Sequence, residues 1–70
     1  MFIDIVVIGD KDKEEDVAIN TDHIVYIRDK DITPYGRTKK VRVKEIGLVT
    51  GEKMHASCNE ASKLRDAISN

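Results

Sequence analysis

Apolar and polar residues alternate along most of this chain with the two-residue period of a strand, and only the last dozen residues change to a helical period. Phe2 to Asp10 reads as a first strand. Ile3, Ile5 and Val7 face one way, and Phe2, Asp4, Val6 and Ile8 face the other. Both sides are largely apolar, which places this strand centrally or under a cover. Asp16 to Asn20 predicts a second strand with Val17 and Ile19 inward, and Ile24 to Asp29 a third. Between them, Asn20-Thr21-Asp22-His23 carries turn chemistry, because Asn and Asp side chains bond nearby backbone amides.

The segment from Asp29 to Thr38 reads as a loop or hairpin tip. Thr33-Pro34-Tyr35-Gly36 suits a β-turn that projects Tyr35. A fourth strand starts at about Lys39. Val41 and Val43 alternate with Lys40, Arg42 and Lys44, predicting one dry and one wet face. Ile46 and Leu48 then continue on the opposite parity, so a bulge is expected at Glu45 or Gly47. After a turn over Val49 to Glu52, Lys53 to Cys58 reads as a fifth strand. Asn59 is a suitable N-cap for a helix over Glu60 to Ser69, with Ala61, Leu64 and Ile68 along one stripe.

The fold expected is α+β: one domain over residues 1–70, a small, twisted, mostly antiparallel five-stranded sheet with a single C-terminal helix. Its core is expected to contain Ile3, Ile5, Val7, Val17, Ile19, Ile24, Ile27, Val41, Val43, Leu64 and Ile68.

Size makes that core thin. A 70-residue chain buries only ~60% of its unfolded surface, and this one has no Trp and one Phe. The single cysteine, Cys58, rules out an internal disulfide and suits a reducing, cytoplasmic setting. Of the devices that stabilise a small domain, self-association is left. No apolar run approaches the ~20 residues of a membrane helix, and the N-terminal run lacks the basic start of a signal peptide.

The net charge of −1 hides a segregation. The stretch 10–16 carries −3 through Asp10, Asp12, Glu14, Glu15 and Asp16 against two lysines, while 36–44 carries +5. Tyr35, Arg37, Lys39, Lys40, Arg42 and Lys44 therefore form a candidate surface for a nucleic acid, another anionic ligand or a protein partner. Alternate residues on a strand stand about 6.6–6.8 Å apart, close to the spacing of backbone phosphates. The same lysines also serve to protect a sheet edge from unwanted pairing. A third use pairs the acidic patch of one copy with the basic row of another.

Enzymatic constellations are absent from the pattern. His55-x-x-Cys58 is a lone doublet whose members point to opposite faces of a strand, against both a zinc site and a nucleophile pair. Asp10, Asp12 and Glu14 imitate a calcium loop but lack its Gly and its final Glu. No catalytic residue, metal or cofactor is expected. Cys58, close to a helix start, is at most a reactive thiol.

From Ile19 onward the order INTDHIVYI, charged loop, strand, TGEKMHAS and a helix beginning NEASKLRDAI resembles the short bacterial FlbD-type flagellar proteins and related small phage proteins. INTDHIVYIRD is also similar to part of LytTR-type DNA-binding domains. The tip from Pro34 to Lys40 is longer and more basic than the flagellar pattern, and the chain is shorter than a LytTR domain. The resemblance implies a non-enzymatic assembly or regulatory module. Read together, the residues predict a non-catalytic, self-associating interaction protein. The alternative is a binder of nucleic acid or nucleotide that uses the basic strand and hairpin tip.

Overall fold

In a computed structural model that describes residues 1–69, five antiparallel strands form one open sheet in the order β2-β1-β5-β4-β3. The strands are β1 (Phe2–Ile8), β2 (Glu14–Asn20), β3 (Ile24–Ile32), β4 (Val41–Leu48) and β5 (Lys53–Ala56); α1 (Cys58–Ser69) follows. Two single 3-10 turns, Asp10–Asp12 and Thr21–His23, join β1 to β2 and β2 to β3. Asn20 holds the second of them by accepting the Asp22 amide at 3.0 Å, as its turn chemistry predicts.

The α+β class and the antiparallel sheet with one terminal helix match the expectation. Several boundaries differ. β2 starts two residues earlier than expected, and β3 runs on past Asp29 through Lys30 and Asp31 to Ile32, because each of these residues finds an opposite on β4. The tip turn is closed from Arg37 N–H to the Pro34 carbonyl at 3.0 Å, one residue later than expected, with Gly36 at φ +75°. Only glycine adopts that angle freely. The helix begins at Cys58, not Glu60, and its cap is Ser57, whose hydroxyl accepts the Glu60 amide at 3.3 Å.

No bulge interrupts β4. The irregularity lies opposite, in β3, where the register shifts between Ile24 and Tyr26 and leaves Val25 as the extra, exposed residue. β4 instead keeps strict alternation, and from Val43 to Gly47 it is covered on both faces, which explains its change of apolar parity.

On one face, Ile5, Val7, Ile19, Ile46 and Ala56 are buried against Leu64 of the helix. Ile3, Val17, Ile24, Ile27, Leu48 and Met54 surround them. Ile46, Ala56 and Ala61, all fully buried, belong to the core in addition to the residues expected from sequence. Two expected members do not. Val41 is 45% exposed and Ile68 51% exposed, because each sits at the end of its element beyond the cover of its neighbours. Val43 is buried, but on the face without the helix.

β1 meets β5 at one pair only, Ile8 with His55. The space beside the rest of β1 is closed by the helix start, where the Glu60 carboxylate accepts the free Val6 amide at 2.8 Å. That bond, together with Lys63, holds the Glu60 carboxyl below its ordinary range.

Candidate interaction surface

The register of β3 against β4 decides what becomes of the basic row. Asp29 lies opposite Lys44 and Asp31 opposite Arg42, on the face that carries the helix. Lys44 binds the Asp29 carboxylate, and Arg42 Nε reaches Asp31 at 3.3 Å. The hydrogen bond and charge of Lys44 hold the Asp29 carboxyl below its usual range. Two of the five basic candidates, Arg42 and Lys44, are thus engaged within the chain. The expected picture of dry valines and solvated cations holds for Val43 and Arg42. It fails for Val41, which is exposed, and for Lys44, whose side chain is 19% exposed. The helix covers the side that Lys44 shares with Ile46, not the side of the valines.

Arg37, Lys39 and Lys40 lie on the tip and take part in no ion pair among the described residues. Tyr35, 69% exposed, projects beside them. Its backbone amide donates to the carboxylate of Asp12, so the acidic connection meets the basic tip within one chain. Lys11 and Asp12 adopt left-handed backbone angles, φ 54° and 62°, to make that approach. A cleft of about 470 Å³ lies between the two segments, over Ile8, Ile32, Val41 and Val43. The acidic candidates are divided. Asp10 and Asp12 belong to the connection, Glu15 shares the helix side with Val17, and Glu14 and Asp16 stand on the helix-free side of β2.

Sequence reasoning missed the most buried charge. Glu45 is 3% exposed on the helix-free face. One carboxylate oxygen accepts Tyr26 Oη at 3.0 Å and Arg28 Nε at 2.7 Å, and the other meets His55 Nε2 at 3.2 Å. Burial pushes the Glu45 carboxyl up, but the hydrogen bonds from Tyr26, His55 and Arg28 outweigh it and bring the pKa to about 2. Burial and the same carboxylate raise the Tyr26 phenol. Arg28 also lies over the Tyr26 ring, 5.1 Å from its centre. Beneath that ring is Gly47, where a Cβ would sit 2.0 Å from Tyr26 Cε2, so only glycine fits.

These residues lie in cross-strand rows. Glu14, Ile8, His55, Glu45 and Arg28 form one row that passes through all five strands. Two residues along, Asp16 pairs with Val6 at one edge and Lys30 with Val43 at the other. Open-face acids therefore stand on β2 and at Asp4 of β1, and open-face bases on β3 and at Lys53 of β5. Phe2, 69% exposed, and the half-buried Val6 and Ile8 lie between them.

His55 faces Glu45, whereas exposed Cys58 opens the helix, so the two do not meet as a nucleophile pair. Among the described residues no group of three His, Cys, Asp or Glu side chains is placed to hold a metal ion. No helix among them is long and apolar enough to cross a membrane. No family model, curated protein or solved structure matches the chain.

Proposed function

We propose that this chain is a non-catalytic interaction module that works by associating with itself in the cytoplasm. The observation that carries the reading is the helix-free face of the sheet. The tip and the β1–β2 connection cover part of it, yet it leaves Phe2 exposed and Val6 and Ile8 half-buried beside charged edges. Exposed apolar surface framed by charge is what an interface between proteins needs. A partner on that face also extends a core that is thin for 70 residues. The resemblance to small flagellar and phage proteins agrees with an assembly role. Sedimentation equilibrium at micromolar concentration tests the reading: a reversible oligomer is expected, and a strict monomer overturns it.

A second reading rests on the tip. Arg37, Lys39 and Lys40 are free of ion pairs and flank an exposed tyrosine, a combination suited to a single-stranded nucleic acid or a nucleotide. Fluorescence anisotropy with a labelled oligonucleotide checks it. Binding is expected to fall steeply with salt and to be lost in Lys39→Glu/Lys40→Glu; binding untouched by that variant removes the tip as the site.

A further inference from the structure

We infer that the cleft between the β1–β2 connection and the tip holds a single 5′-nucleotide, an inference that rests on the second reading above and names its ligand and its place. Small-molecule sites span about 300–1,000 Å³, with a largely apolar lining and a few converging polar groups. At about 470 Å³ this cleft lies within that range. Its floor is apolar and branched, with Ile8 and Ile32 half-buried, Val41 exposed and Val43 buried. A planar base covers such a floor, and the exposed Tyr35, which also lines the cleft, supplies a stacking ring.

The charges select the rest of the ligand. Lys11 stands on the connection and Arg37 on the tip. Both are exposed, both line the cleft, and neither takes part in an ion pair among the described residues. A phosphate between them receives one cation from each wall. The two acids of the same cleft have different tasks. Asp12 accepts the Tyr35 amide and so ties the walls together. Glu14 takes part in no ion pair among the described residues, and a carboxylate in that state accepts from ribose hydroxyls or a base amino group. Two cations beside two carboxylates suit one phosphate and oppose a run of them. A single strand is gripped over ~4–16 nucleotides, far more than this volume takes. Lys39 and Lys40 stand outside the lining and act on the ligand only through their charge.

The test is a nuclear magnetic resonance titration of the isotope-labelled chain. The probes are the four ribonucleoside 5′-monophosphates, adenosine, inorganic phosphate and oligothymidylate. Saturable shifts are expected at Ile8, Lys11, Tyr35, Arg37 and Val43 for at least one monophosphate, with adenosine and inorganic phosphate at least ~10-fold weaker. Lys11→Gln and Arg37→Gln are each expected to weaken binding at least ~10-fold, and Val41→Glu, which puts a carboxylate on the floor, to abolish it. Lys39→Gln/Lys40→Gln is expected to weaken it less than either cleft cation does. Circular dichroism melts confirm that each variant folds. Monophosphate binding indifferent to Lys11, Arg37 and Val41, or inorganic phosphate binding equally well, overturns the inference. The same shifts on raising the protein concentration alone mean that a second copy fills the cleft, and also overturn it. Oligothymidylate bound through Lys39 and Lys40, with no monophosphate bound at millimolar concentration, overturns the cleft and leaves the second reading standing. Binding of neither removes that reading as well.

Discussion

The two faces of the sheet solve the problem of a small core in opposite ways. The helix side is apolar and uniform: Ile5, Ile46 and Leu64 are almost wholly buried, and the nearby charges are neutralised across strands. The other side holds its one buried carboxylate by three side-chain partners and fits a tyrosine over a glycine. The first face stabilises by area removed from water, the second by geometry that tolerates little change. A buried charge gives weak net stability and strong dependence on its partners. It lies beside Val43, which is likewise buried on this face, where the tip and the β1–β2 connection meet.

Substitutions on each side sharpen the contrast. The largest loss is expected for Leu64→Ala, ~2–5 kcal/mol in chemical denaturation, since it opens a cavity where the helix meets the sheet. Gly47→Ala comes next, at ~1–3 kcal/mol. Its methyl group displaces the Tyr26 ring and with it the Glu45 bond, which an altered near-ultraviolet dichroism of the tyrosines reports. If Gly47→Ala melts like the wild type, the helix-free face is softer than described.

Acid separates the faces further. Glu45 has its carboxyl lowered from 4.5 to about 2 in the folded state. It therefore contributes stability above its ordinary pKa, and that contribution is lost as the pH falls from 4.5 through about 2. Glu60 and Asp29, also lowered, add in the same direction. Urea denaturation across that range is expected to show falling stability in the wild type and a flatter profile in Glu45→Gln. Equal slopes place the acid sensitivity elsewhere. The smallest effect is expected for Arg42→Gln, within ~0.5 kcal/mol of the wild type, because the Arg42 pair with Asp31 is exposed.

The strand pattern was legible because β-branched residues alternate over Ile3 to Val7, Val17 to Ile19 and Ile24 to Ile27, and the turn at Asn20 carries its own chemistry. The site was less so. Alternation tells which residues share a face but not which face the helix covers: Val43 is buried as expected but on the face away from the helix, and Val41 is exposed. The cation row looked free because its partners, Asp29 and Asp31, lie across a hairpin whose register sequence alone leaves open. One signal was readable: set antiparallel, Arg28-Asp29-Lys30-Asp31 matches each Asp with Arg42 or Lys44 and Arg28 with Glu45. The left-handed angle at Lys11 has no signal in its residue type, and that at Asp12 only the weak one of an aspartate, which visits this region more often than most residues.

The account stands or falls on what covers the helix-free face in solution. An isotope-filtered nuclear Overhauser experiment on a mixture of labelled and unlabelled chains reads that directly. Contacts between copies are predicted from Phe2, Val6, Ile8 and Ala18, with none from the outward helix residues Ser62, Lys63 and Asp66. Contacts confined to the helix, or no contacts between copies at concentrations where the wild type is fully associated, would contradict it.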